Sequence, residues 1–172
     1  LRIVVLHQAV PLPAPPDELD VLEEVRAVRH ALSALGHKAT ALPMTGTLDD
    51  TLRALHRRRP DCVFNLVESL LGRGALAPAA TALLDIVGVP YTGSGTAAMA
   101  LTTDKLATKR TFHRAGIPTP PWVTLTEQVG FKPGRYLIKP TSEDASVGLD
   151  EGSVVRVGTL DECRRELERH GG

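Results

Sequence analysis

The sequence is short of cysteine, of net charge and of long apolar runs, and each shortage argues against a class of protein. Cys62 and Cys163 are the two cysteines, and neither has a CxxC or a His/Cys ligand spacing near it, which argues against a disulfide framework or a zinc site. Lysine plus arginine equals aspartate plus glutamate, at 20 each, so no overall field attracts nucleic acid or an anionic membrane. The opening LRIVVL is too short for a signal-peptide core, and no apolar run is long enough to span a bilayer. These features predict a cytoplasmic protein with reduced thiols, without nucleic-acid or membrane partners.

What the sequence does contain is an alternation of strand and helix patterns over residues 1–95. The β-branched run 3–6 predicts a first strand that is buried on both faces. A helix capped by Asp17 or Asp20 follows, with one apolar stripe of Leu22, Val25, Val28, Leu32 and Leu35. Further strands are predicted at 39–42, 62–67 and 88–92, with helices at about 49–58 and 79–87. This order is typical of a parallel α/β sheet with helices on both faces.

After residue 95 the pattern changes, and a second domain, 96–172, is predicted. Helices are expected at 97–101 and 104–115, strands near 122–125, 136–139 and 153–157, and a last helix at about 159–169. Thr159 and Glu162 have the spacing of a capping box. The order is α+β instead of a continued βαβ alternation.

An apolar strand delivers Lys139 to a loop of small and polar residues at 141–148. Such a loop can turn several backbone N–H groups toward one oxyanion while the lysine supplies a fixed cation. The alternative is a β-hairpin whose lysine faces water, and the spacing alone favours that alternative.

Four motifs in order change this balance: GVPYTGSG at 88–95, DKLATK at 104–109, GIPTP at 116–120 and the lysine loop at 139–148. Together they closely resemble the D-alanine:D-alanine ligases of the ATP-grasp superfamily, whereas residues 1–87 agree in architecture and only loosely in sequence. The resemblance implies an N-terminal Rossmann-like (pre-ATP-grasp) α/β domain over 1–95. It further implies that 96–172 is the small α+β lobe of an ATP-grasp domain, truncated before the lobe that completes the ATP site.

The resemblance also implies functional residues. Lys105 and Lys139 match lysines that reach the phosphates of ATP, and Ser146, Val147 and Gly148 lie in the loop that folds over the triphosphate. The implied activity is ATP-dependent peptide-bond formation from small amino-acid substrates by way of an acyl phosphate. The implied cofactors are ATP and Mg²⁺, with the Mg²⁺ ligands expected beyond Gly172, so the 172-residue chain alone is expected to be inactive. Family members are commonly dimers, which implies a homodimer.

Three positions depart from the family. Ala145 replaces the first serine of the family's SSVG, Val67 stands where the family has a substrate-side histidine, and residues 71–76 replace an acidic glycine-rich loop. ATP use remains the expectation, while the amino-acid substrate stays open. Two alternatives remain: an ATP-grasp ligase for a different amino acid or hydroxy acid, and a non-catalytic fragment that binds a nucleotide or a partner.

Polar residues also mark the carboxyl ends of two predicted strands. His7 follows the first strand, and Asn65 and Glu68 lie at the end of the strand at 62–67. Open α/β sheets bind their ligands at this edge, which predicts that all three are substrate-side residues. For His7 the alternative is a partly exposed histidine without a role. No residue is assigned as catalytic.

Overall fold

The computed structural model describes residues 1–11, 13, 16–143 and 149–170 of the chain. The chain divides into two compact units, Leu1–Asp104 and Lys105–Gly172. Helix α4 (Thr96–Thr103) belongs to the first unit, so the division falls after the predicted boundary at residue 95. The physical reason is that α4 packs on the preceding helix, where the Thr96 hydroxyl donates to Asp85 Oδ2 at 2.5 Å.

The first unit is built on a parallel sheet of β1 (Arg2–Gln8), β2 (Lys38–Met44) and β3 (Cys62–Asn65), in the order β2-β1-β3. This confirms the predicted parallel α/β sheet. The strand predicted at 88–92 is reduced to a bridge between Tyr91 and Val63. Pro90 has no N–H to donate, and Gly93 turns the chain away with a φ of 97°.

Three further helices belong to the first unit: α1 (Pro16–Ala34), α2 (Leu48–Arg58) and α3 (Pro78–Val87). Val4 and Leu6 of β1 enter a core with residues of α2 and α3. Because successive side chains of a strand alternate between its faces, Ile3 and Val5 face the other side, and α1 packs on β1 and β2. The helices therefore cover both faces of the sheet.

The predicted apolar stripe of α1 is correct at its three middle positions, where Val25 is buried and Val28 and Leu32 are half-buried, and wrong at its two ends. Val21 and Val25 are buried, whereas Leu22 and Leu35 are 36% and 71% exposed. Val21 takes the place that the prediction gave to Leu22, and the face of α1 that packs on the sheet contains Val21, Val25, Val28 and Leu32.

The second unit contains α5 (Lys105–Arg114), the antiparallel pair β4 (Trp122–Val123) and β5 (Gln128–Val129), the antiparallel pair β6 (Gly134–Leu137) and β7 (Val154–Val157), and α6 (Leu160–Arg169). Strands overlap those predicted at 122–125, 136–139 and 153–157, and the last helix is present. However, β6 ends at Leu137, two residues before Lys139, and β5 is an addition. Across the described ranges, no helix is both long and apolar enough to cross a membrane.

Candidate functional site

The strand order predicts a ligand crevice at the carboxyl edge of the first unit's sheet. From β1 the chain passes through α1 to β2 on one side, and from β2 it passes through α2 to β3 on the other side. The order therefore reverses between β1 and β3, and open α/β sheets bind ligands at such a switch point. We call this place, formed by Gln8, Asn65 and Glu68 at the carboxyl ends of the two strands, the β1–β3 crevice.

Glu68 and Asn65 lie at the crevice, where the strand pattern predicted them. The Glu68 backbone N–H donates to Gln8 Oε1 at 3.3 Å, and the Glu68 side chain is exposed. Asn65 is held by two bonds: its Oδ1 accepts from the Val67 N–H at 3.3 Å, and its N–H donates to the Thr92 hydroxyl at 3.1 Å. Their role toward a substrate stays a prediction.

His7 is buried, at 5% exposure, and is thus not a partly exposed histidine. Its Nδ1–H donates to the Gln8 carbonyl at 2.8 Å. Burial lowers its pKa, and the bond to Gln8 offsets only part of that effect, so the neutral imidazole is favoured. His7 therefore lies in the interior of the first unit, and its role toward a substrate stays a prediction.

Gln8 is the crevice residue that the sequence pattern did not single out. Its amide oxygen is what links the end of β1 to Glu68. The signal was available, because Gln8 directly follows His7 at the end of the first strand and the same edge rule applies to it.

Val67, at the position where the family resemblance implies a substrate-side histidine in relatives, is 4% exposed and belongs to the hydrophobic core. A buried valine at this position cannot donate a hydrogen bond to a substrate. The valine that differs from the family pattern is thus part of the hydrophobic core of the first unit.

The second candidate site surrounds Lys105, the first residue of α5. The Lys105 backbone N–H donates to the Thr141 carbonyl at 2.9 Å, and Lys105 Nζ donates to the Glu143 carbonyl. Lys139 is exposed and lies two residues before Thr141. The structure therefore brings Lys105 beside the segment that follows Lys139, while Ser146, Val147 and Gly148 lie outside the described residues.

Two sets of side-chain interactions hold α5 against the loop and strand that follow it. Lys109 Nζ donates to the Pro120 carbonyl at 3.0 Å and lies 5.6 Å from the centre of the Trp122 ring. Desolvation there lowers the pKa of Lys109. Arg110 donates through Nε and Nη2 to Glu127 Oε2, at 2.8 and 2.5 Å, which lowers the pKa of Glu127. The second lysine of DKLATK and the GIPTP motif thus fix the helix that carries Lys105.

The GVPYTGSG motif has a structural role within the first unit. Asp85 accepts from Thr96 Oγ1 at 2.5 Å and from Tyr91 Oη at 2.7 Å, and these bonds lower its pKa. They join α3, the bridge at Tyr91 and the start of α4. The glycines allow the intervening turn, as the positive φ of Gly93 shows.

In the described part of the chain, no three His, Cys, Asp or Glu side chains come together in a way that could hold a metal ion.

No family model matches the chain, whereas curated proteins and solved structures do. It is 35% identical over 134 residues to the D-alanine--D-alanine ligase of Ectopseudomonas mendocina (strain ymp), a match that covers 74% of this chain and 41% of the relative. With the D-alanine--D-alanine ligase of Methylococcus capsulatus it shares 34% identity over 157 residues, covering 88% of this chain and 47% of the relative.

The structure of the D-alanine--D-alanine ligase from Bacillus anthracis complexed with ATP is similar in fold. Its TM-score is 0.64 at 21% identity, and the match covers 98% of this chain and 54% of that chain. The uncomplexed structure of the same ligase has a TM-score of 0.62. The chain thus spans about half the length of the relatives it matches, and over that part it is similar to D-alanine--D-alanine ligases.

Proposed function

We propose that the complete protein carrying this sequence is an ATP-dependent carboxylate-amine ligase that forms a peptide bond by way of an acyl phosphate. The 172 residues supply its substrate-side domain and the smaller part of its ATP site. The observation that carries the proposal is the meeting of α5 with the 141–143 segment, where Lys105 bonds through its backbone to Thr141 and through its side chain to Glu143.

This geometry suits the binding of a triphosphate. The N-terminus of a helix carries a partial positive charge that attracts anions, and Lys105 adds its cation there. Lys139, two residues before the contacted segment, is the second cation of the proposed site. Two cations beside three phosphates would offset a charge that otherwise repels the incoming carboxylate.

In the proposed reaction, a substrate carboxylate attacks the γ-phosphorus of ATP and ADP leaves. An amine then attacks the carbonyl carbon of the acyl phosphate, phosphate leaves and an amide remains. Mg²⁺ neutralises phosphate charge in such transfers, and we assign none of its ligands to the described residues. The protein is proposed to act in the cytoplasm, as a homodimer, on small amino-acid substrates.

At the substrate side, Asn65 and Glu68 are the proposed polar contacts in the β1–β3 crevice. Glu68 can accept hydrogen bonds from a substrate amine, and its backbone is anchored to Gln8. The buried Val67 favours a second candidate substrate class, an amino acid or hydroxy acid other than D-alanine. The reason is that the family places a polar side chain at this position, whereas here a core valine occupies it.

The proposal is tested by replacing each lysine in the complete ligase and measuring ADP release in the presence of candidate amino acids. Lys105→Met and Lys139→Met are each expected to lower kcat/KM for ATP by about 10²- to 10³-fold, the usual loss when one group that stabilises transition-state charge is removed. Lys132→Met, which removes another exposed lysine of the second unit, serves as the control. Unchanged kinetics in both site variants would remove the lysines from the ATP site.

The substrate side has a separate readout in the same assay. Glu68→Gln is expected to raise the KM for the amino-acid substrate and to leave the KM for ATP unchanged. An unaltered amino-acid KM would exclude Glu68 from the site. Binding of ATP without ADP release, for any amino acid or hydroxy acid, would instead support the non-catalytic alternative.

A further inference from the structure

A turn near the β1–β3 crevice holds a leucine in a backbone conformation that leucine rarely adopts. Within the described ranges, Arg59 and Leu71 are the two residues other than glycine with positive φ. Arg59 ends α2, and its N–H donates to the Leu55 carbonyl at 2.9 Å, so the end of the helix explains it. Leu71 has no such explanation.

Leu71 occupies the first central position of a tight turn. Leu70 and Arg73 exchange backbone hydrogen bonds at 3.2 and 3.1 Å, and the central residues Leu71 and Gly72 have φ values of 55° and 68°. Positive φ at both central positions is the mark of a type I′ turn, for which Asn-Gly is the preferred pair. Asparagine would therefore fit the backbone better than leucine does.

The strain is not compensated by burial. The Leu71 side chain is 72% exposed, while the neighbouring Leu70 is 6% exposed and belongs to the core. A leucine held at positive φ is costly, and burial of its side chain does not offset that cost. An observed outlier of this kind points to function.

The direction of the Leu71 side chain is defined by Gly46. A Cβ atom added to Gly46 would lie 2.8 Å from Leu71 Cδ2 and 3.3 Å from Cδ1, so the absence of a side chain at 46 leaves room for the isobutyl group. Gly46 follows β2 and Leu71 follows β3, and β1 lies between these strands in the sheet. The two loops in contact therefore both leave the carboxyl edge of the sheet, the edge at which the β1–β3 crevice is predicted.

We propose that Leu71 is a specificity-determining residue that contacts an aliphatic side chain of the amino acid bound in the β1–β3 crevice. The inference rests on the proposed function and narrows its substrate class. Asn65 and Glu68 are the proposed polar contacts of the crevice, and Leu71, three residues after Glu68, is an exposed apolar group. A hydroxyl on the substrate side chain would find no hydrogen-bonding partner in the Leu71 isobutyl group, whereas a methyl or methylene group packs against it.

The test measures kcat/KM of the complete ligase for 2-aminobutyrate and for serine, two amino acids that differ by a methyl group in place of a hydroxyl. The wild-type enzyme is expected to prefer 2-aminobutyrate. Leu71→Asn is expected to reduce that preference about tenfold, the low end of what one apolar group contributes to selectivity. The same variant should raise the melting temperature, because Asn-Gly suits the turn.

Two further variants separate contact from packing. Gly46→Ala keeps the leucine but displaces its side chain, and the preference should fall in this variant as well. Leu35→Asn, which replaces a leucine of matched exposure, 71%, at the end of α1, should leave the preference unchanged.

An unchanged preference in Leu71→Asn and Gly46→Ala would overturn the role of Leu71 while an active enzyme upheld the proposed ligase function. A lowered melting temperature in Leu71→Asn would also overturn it, because Leu71 would then be a packing residue that ties the two loops together. Absence of ATP-dependent turnover with every amino acid tested would overturn both proposals.

Discussion

His7 illustrates how the position of a single residue decides its chemistry. Its imidazole is buried, its Nδ1–H is committed to the Gln8 carbonyl, and burial lowers its pKa from the usual 6.5. As the pH falls below 6.5, His7 becomes protonated in the unfolded chain. In the folded chain it stays neutral until the pH falls to the lowered pKa. Stability therefore falls as the pH drops through that window.

We expect His7→Gln to flatten this acid-side decline. The contribution of one histidine has a slope of at most about 1.4 kcal/mol per pH unit, measurable by urea unfolding of the 172-residue chain between pH 5 and 7.5. The comparison concerns the slope, since the substitution also alters packing and so shifts the absolute stability. His30→Gln, on the exposed face of α1, is the control, and equal slopes in wild type and His7→Gln would contradict the assignment.

For single residues, the sequence predicted the position along a strand or loop. It did not predict the burial or the backbone conformation of the residue. Runs of apolar residues placed His7, Asn65 and Glu68 at strand ends, because strand ends follow from local pattern. The burial of His7 depends on the helix packed over its face of the sheet. The positive φ of Leu71 arises in a tight turn that an Asn-Gly pair would have indicated in the sequence and that the Leu-Gly pair does not.

Among the elements, α6 is the one whose start follows most directly from the sequence. Thr159 Oγ1 accepts from the Glu162 N–H at 3.2 Å, and the Glu162 carboxylate accepts from the Thr159 N–H at 3.2 Å. Both bonds satisfy N–H groups that a helix end leaves without partners. The predicted capping box is confirmed.

Thr159→Ala is expected to cost about 1 kcal/mol of stability, because it removes the acceptor for the Glu162 N–H. Urea unfolding of the 172-residue chain measures this loss. Thr159→Ser keeps a hydroxyl acceptor and is expected to stay close to wild type. If the alanine and serine variants were equally stable, the hydroxyl would have no capping role.

Elements that depend on a partner elsewhere in the chain were predicted less well than α6. β5 is two residues long, Gln128–Val129, and exists because it pairs with β4, a partnership that no local pattern specifies. The two ends of the α1 stripe were misplaced for a related reason: packing on the sheet decides whether Val21 or Leu22 is buried, and no local pattern specifies that choice.

For the whole molecule, the order of the motifs indicated two domains but not the exact boundary. The change of pattern after Gly95 is real in the sequence, since α4 is the first helix that does not alternate with a strand. Its attachment through Thr96 to Asp85 is a tertiary contact, and tertiary contacts determine which unit a helix joins.

We expect a chain ending at Asp104 to fold alone, because every member of the buried core cluster and all three strands of the parallel sheet lie within the first unit. Its ¹H–¹⁵N spectrum should overlay the corresponding signals of the 172-residue chain, and its urea unfolding should be cooperative.

A chain ending at Gly95 is the matched comparison: it lacks α4 and the Thr96 hydroxyl, which leaves Asp85 with Tyr91 as its remaining side-chain donor. We expect this shorter chain to unfold at a lower urea concentration, since it loses both the packing of α4 on α3 and one charge-assisted hydrogen bond. Equal midpoints for the two chains would show that α4 adds nothing to the first unit and would return the boundary to residue 95.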